Sequence, residues 1–215
     1  MKFEKISVEA YQKYLNEHKN PIETVQQLEE KIEYFKNKLV IPYRKTSGSA
    51  GYDFSLPYDV YIKAGSIAEI PTGIKVELDK NKYLDCRIRS SYAIKKGLMI
   101  VTCASVIDSD YYNNPMNEGH ILEYLWNRSN KNILLKQGDR FVQGIITTCF
   151  AVEGDEFGKG EFRTGGIGST DNIPNPAEKK ESLNKANHAE ITKRSKEEIK
   201  AHLESFKHTT NSKHK

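Results

Sequence analysis

From about Ile41 to Val152 the chain alternates short runs rich in Val, Ile, Tyr and Thr with turn residues. Val60-Tyr61-Ile62 stops at Lys63-Ala64-Gly65, Ile67 to Ile70 at Pro71-Thr72-Gly73, and Ile74 to Leu78 at Asp79-Lys80-Asn81. Tyr83 to Arg89, Leu98 to Ile107, His120 to Asn127, Asn132 to Leu135 and Phe141 to Phe150 continue the pattern. A run this short buries its side chains only by pairing with others. Many such runs at near-regular spacing predict an all-β sandwich or barrel.

The flanks read differently. Lys2 to Ile6 suits a short strand, and Ser7 can cap a helix through Leu15. Asn20-Pro21-Ile22-Glu23 predicts a second helix start: a capping residue, proline at the first helical position and an acid three residues after the cap. Ile22, Val25, Leu28, Ile32, Phe35 and Leu39 then form one apolar stripe. That stripe packs on its own domain or, in a sharper reading, on a second chain. Beyond Val152, Gly154 to Thr170 holds six glycines, and residues 177–215 are mostly Lys, Glu, Ser, Asn and His. Ser195-Lys196-Glu197-Glu198 is a capping box for one tail helix, but the tail has too few apolar residues to fold alone.

At 215 residues, 37% hydrophobic and 29% charged, the chain allows one domain with a core plus solvated extensions. A net charge of +4 permits an anionic ligand without implying nucleic acid. No stretch is long enough to span a bilayer, and Met1 to Lys5 has no apolar leader, so a cytoplasmic location is expected. Cys86, Cys103 and Cys149 lie far apart without metal-ligand spacing, each in an apolar or strand-like run. Buried free thiols are expected.

Five polar islands interrupt the β-pattern. They are Ser49 to Phe54, Arg89-Ser90-Ser91 through Gly97, Ser105 through Tyr112 with Asn117 to His120 beyond it, Gly138 to Gly144, and Arg163 to Thr170. Each alone reads more simply as a turn or a satisfied polar residue. Together they supply one kind of chemistry. Asp108 at a strand end can activate a water, and the Tyr111 ring can stack on a sugar or base. Ser90, Ser91, Arg89 and Arg163 offer donors for phosphate oxygens. The Gly165-Gly166-x-Gly168-Ser169-Thr170 run can turn backbone N–H groups toward an anion, but no lysine follows it as in a Walker loop. These residues point to metal-assisted nucleotide hydrolysis.

In order and interval, the five islands resemble the five motifs of the trimeric, all-β dUTP diphosphatases (dUTPases), across roughly residues 41–170. The Asn113-Asn114-Pro115-x-Asn117-Glu118-Gly119-His120 continuation resembles a bacterial or phage branch. The resemblance implies a distorted jelly roll (β-clip), with a β domain (41–152) and a Gly-rich arm closing an active site (153–170); an N-terminal strand with a helical insertion (1–40) and a polar tail (171–215) flank it and fall outside the resemblance. It implies a homotrimer with shared sites, and hydrolysis of dUTP to dUMP and diphosphate with Mg²⁺ on the triphosphate. That reaction keeps uracil out of DNA and supplies dUMP for dTTP synthesis. Carried over, Asp108 is the general base and Tyr111 excludes a 2′-hydroxyl. Thr102 stands on the uracil-reading hairpin. Arg89, Ser90, Ser91 and Gln143 serve the phosphates. Asp53 supports the metal's water shell or the site's hydrogen-bond network, and Arg163, Gly166, Ile167, Gly168 and Ser169 close over the γ-phosphate. Asp110 is left with a turn or interface role.

The chain departs from the family pattern at several of these positions. Ile167 replaces the usual stacking aromatic, Ser105 replaces a common Gly, Thr102 a common Asn, and Asp171 a common Gly. The alternatives are a catalytically weakened dUTPase-like binding or regulatory protein, and a dCTP deaminase relative, which would need a deaminating Glu.

Overall fold

A computed structural model describes residues 1–159, 161 and 163–166. The tail helix expected near Ser195 lies outside the described residues, as do Ile167, Gly168, Ser169 and Asp171.

Eleven strands are present among the described residues: β1 (Lys2–Lys5), β2 (Tyr52–Ser55), β3 (Val60–Ile62), β4 (Ile67–Pro71), β5 (Ile74–Glu77), β6 (Lys82–Ile88), β7 (Leu98–Ile100), β8 (Ser105–Asp108), β9 (Leu122–Asn127), β10 (Ile133–Leu135) and β11 (Arg140–Thr148). Every pairing between them is antiparallel. The larger sheets run β2-β11-β6-β8 and β4-β9-β7, with β1-β5 and β10-β3 as separate ribbons. Phe54, Leu84, Phe141 and Val142 from the first sheet share one core with Ile70, Leu98, Ile100 and Leu125 from the second. This is the all-β jelly-roll class the short runs predict. Gly144 is required where β11 crosses that core: an added Cβ would lie 2.8 Å from Leu84 and 2.9 Å from Phe54.

The Leu98 to Ile107 run is not one strand. It divides into β7 and β8, and the chain changes sheets between them, because β7 pairs with β9 while β8 pairs with β6. Cys103 sits in the intervening turn at φ 67 and is exposed. The expectation of a buried thiol fails there, and holds at Cys86. A sheet switch needs a turn, and the β-branched residues around Cys103 hid it.

Helix α1 (Val8–Glu17) starts at Ser7, whose hydroxyl accepts from the Ala10 amide. Helix α2 (Val25–Asn37) starts at Thr24, four residues later than Asn20-Pro21 predicts. Thr24 and Gln27 form a full capping box, while Asn20 instead holds a turn, accepting from the Ile22 and Glu23 amides. The stripe is shortened with it. Ile22 and Val25 are exposed, whereas Phe35 and Leu39 enter the core and Phe35 stacks on Tyr11 at 4.1 Å. Over its Phe35 end, then, the stripe packs on its own domain. A third helix, α3 (Ser90–Lys96), follows β6 and ends at Gly97 in the left-handed conformation.

Candidate active site

The expected site residues fall into two groups. In the first, β8 carries Asp108 to its end and a 3₁₀ turn, Ser109–Tyr111, follows at once. Tyr111 is buried. Its hydroxyl donates to the His120 carbonyl at 3.0 Å and accepts from Asn117 Nδ2 at 2.8 Å, so the ring is fixed at both edges of its oxygen. Arg163 Nη2 donates to Asp108 Oδ2 at 2.9 Å, its Nε lies 3.7 Å from Asp110, and its guanidinium carbon is 5.8 Å from the Tyr111 ring centre. Burial raises the Asp108 pKa above the ordinary value; Arg163 opposes this and Asp110 adds to it.

Beside this group opens a cleft of about 470 Å³, the size of small-molecule sites. Thr102, Ala104, Ser105, Val106 and Ile107, from β8 and the turn before it, line the cleft. Leu122, Tyr124, Tyr111, Asn117, Met116, Arg163 and Gly166 complete its lining. A Cβ on Gly166 would lie 3.5 Å from the Tyr111 hydroxyl, so the arm lies close against the ring. Among the described residues no carboxylate lines this cleft.

The second group gathers around Asp53. Arg140 Nη1 donates to Asp53 Oδ2 at 2.6 Å, and Arg89 Nε lies 3.4 Å from Oδ1. Gln143 pairs with Asp53 in register, and a Cβ on Gly51 would lie 3.1 Å from the Gln143 side chain, a tight contact. Ser90 and Ser91 open α3, exposed, next to Arg89. Both Asp53 oxygens thus serve arginines, a place in the site's hydrogen-bond network. Among the described residues no three His, Cys, Asp or Glu side chains gather as a metal cage.

The two groups do not meet within one chain. Asp108 pairs with Tyr83 at one end of β6, and Arg89 follows Ile88 at the other. At ~3.3 Å per residue they stand roughly 20 Å apart. The described part of the arm, expected on a neighbouring subunit, touches its own chain's Asp108 and Tyr111 here.

Reading the sequence missed several supporting residues. Glu118 accepts from the Ser7 backbone amide at 2.9 Å and from its hydroxyl, tying α1 to the loop that fixes Tyr111. His120 is buried, its pKa pushed down to about 3 chiefly by burial, and its neutral Nε2 accepts from the Gly73 amide at 2.9 Å. Glu123 is fully buried on β9. Asn117 to His120 had been singled out as a motif extension, but a lone Glu123 carried no signal.

Fold and site together define an antiparallel β-sandwich protein with a small-molecule cleft, lined by Tyr111 and Tyr124, beside the point where the chain changes sheets. The comparisons narrow it. The family model described as dUTPase matches residues 37–171, and the chain belongs to that family of enzymes. It is 41% identical over 142 residues to the deoxyuridine 5'-triphosphate nucleotidohydrolase of Lactococcus lactis, covering 66% of this chain and 95% of that one. The Treponema denticola protein of the same name is 34% identical over 140 residues, covering 63% and 93%. Among solved structures, the dUTPase of Streptococcus mutans superposes with a TM-score of 0.55 at 32% identity, covering 72% of this chain and all of that one.

Proposed function

We propose that this chain hydrolyses dUTP to dUMP and diphosphate, with Asp108 as the base that activates the attacking water. The observation that carries the reading is the arrangement at the cleft. A half-buried carboxylate stands at the mouth of a slot walled by the fixed ring of Tyr111, in a chain of the dUTPase family. The slot suits a deoxynucleoside: the ring's hydroxyl is occupied by Asn117 and His120, so its face and edge meet the sugar as apolar surface. A water placed by Asp108 attacks the α-phosphorus in line, and the donors cradle the charge that develops on the phosphates.

Arg89, roughly 20 Å from Asp108 along β6, and the serines Ser90 and Ser91 that follow it are too far from Asp108 to act on the same triphosphate within one chain. A second copy must bring them, which supports a homo-oligomer with shared sites; the family resemblance favours a trimer. Mg²⁺ fits these residues only as an ion held by the triphosphate's own oxygens, since Asp53 is engaged by arginines and no cage forms among the described residues. Bound there, it would neutralise phosphate charge. Ile167, in this reading, covers the base by apolar contact without stacking.

Diphosphate release from dUTP, dCTP and UTP in the presence of Mg²⁺ tests the proposal. Release from dUTP alone is expected. Asp108→Asn should lose turnover by about a thousandfold while still binding nucleotide. Turnover of none of the three substrates by the intact protein would overturn the reading.

A further inference from the structure

The fork where β7 and β8 part is held by a polar tie across the sandwich interior. Ser105, the first residue of β8, donates its hydroxyl to Glu123 Oε2 at 2.7 Å. Glu123 belongs to β9 of the opposite sheet, in register with Ile70 of β4, and is fully buried. Its other oxygen, Oε1, is buried without a hydrogen-bond partner. The Cys86 thiol, from β6 beside Ser105, is the other polar group acting on it. A carboxyl in this position is costly unless it is neutral. Burial accordingly raises its pKa to about 7, with Ser105 and Cys86 opposing the rise. What it grips is Ser105, which lines the cleft directly, and on β9 the two neighbours of Glu123, Leu122 and Tyr124, line it as well. The tie therefore joins two strands of opposite sheets, β8 and β9, that both contribute to the cleft.

We propose that Glu123 is a positioning residue that fixes the width of the base slot by clamping β8 to β9 through Ser105. Resting on the dUTP reading above, this gives Ser105 a role. A glycine at that position leaves the hairpin untied, whereas Ser105 with Glu123 replaces backbone flexibility by a fixed spacing. Substrate binding, more than the chemical step, depends on that spacing.

Steady-state kinetics on dUTP and amide hydrogen exchange, applied to the intact protein and its Glu123→Ile, Glu123→Gln and Ser105→Ala variants, test the clamp. Glu123→Ile and Ser105→Ala should each raise KM about tenfold with kcat changed less than about threefold, the effect of one lost buried hydrogen bond. Glu123→Gln, whose amide oxygen still accepts from Ser105, should restore KM to within about threefold of the parent. Amides of residues 101–106 should exchange faster in the first two variants, with the β11–β6 pairing unchanged. Should Glu123→Ile fail to fold, Ser105→Ala cuts the same bond from the half-buried side. Parent-like KM in Ser105→Ala, or kcat and KM falling together, would overturn the clamp while leaving dUTP hydrolysis intact. If the parent itself turns over no dUTP, the exchange measurement still decides: unchanged protection at 101–106 overturns the clamp.

Discussion

Asp108 and Glu123 show how burial assigns different work to two carboxyls. As the proposed base, Asp108 must be ionised to accept a proton from water, and Arg163 at 2.9 Å favours that form against the burial that opposes it. Removing the cation by Arg163→Gln leaves burial and Asp110 to act alone. The acidic limb of the kcat/KM profile should then move to higher pH, as a rate–pH series on the variant will measure. Glu123 works the opposite way. Its folded pKa of about 7 exceeds the ordinary 4.5, so between these values the folded state binds more protons than the unfolded one. Stability should therefore be full below about pH 4.5 as far as this group is concerned, and decline as pH rises through 7, by on the order of 3 kcal/mol. Glu123→Gln should flatten that part of the pH dependence in urea titrations. A slope unchanged by the substitution would mean another group carries it. Asp108 and Tyr111 were legible in the sequence because they belong to a patterned stretch. Glu123 was not, because Leu122, Glu123, Tyr124 and Leu125 put large side chains on both faces of β9, and alternation alone cannot say which face the acid takes.

Helix α1 reaches the site through its cap. Ser7 serves two partners at once, accepting from the Ala10 amide and donating to Glu118, while Lys75 reaches both Asn113 and Glu118. These bonds hold the loop from Asn113 to His120, whose Asn117 in turn fixes the Tyr111 hydroxyl. The rings of Tyr11 and Tyr14 close on His120 edge-on from the helix side. The insertion is therefore a buttress for Tyr111. Ser7→Ala should cost about 1–2 kcal/mol in chemical denaturation and raise KM for dUTP, while Ser7→Thr keeps both bonds and should stay near the parent in each. The α1 start was readable from the serine. The α2 start was misread because Asn20-Pro21 and Thr24 both satisfy local capping rules. What chose between them was where the stripe meets the core, at Phe35 and Leu39.

At the scale of the molecule, the proposed reaction draws on residue groups at opposite ends of β6, which would make assembly part of the chemistry. Asp108→Asn and Gln143→Ala each remove a different half-site and should be nearly inactive alone. Mixed after dissociation and reassociated, they should recover a measurable part of the parent activity, because some shared sites then combine an intact half from each chain. Mixtures no more active than their components, from a protein that sediments as a single chain, would place the whole site within one copy.

The sequence by itself determined the all-β class and the family. Short Val-, Ile-, Tyr- and Thr-rich runs, turn residues and the five ordered islands are local signals, and each survives without knowledge of its neighbours. Asp108, Tyr111, Gln143 and Arg163 were named on that basis. Only the tertiary structure decided that Tyr111 and Arg163 line the cleft while Gln143 stands beside Asp53, that Asp53 is engaged by Arg140 and Arg89, that β7 and β8 part company at Cys103, and that Glu118 and Glu123 accept from Ser7 and Ser105. Those outcomes depend on contacts between residues distant in the chain, such as Ser7 with Glu118. A side chain's spacing along the chain does not record the partner that burial will bring to it.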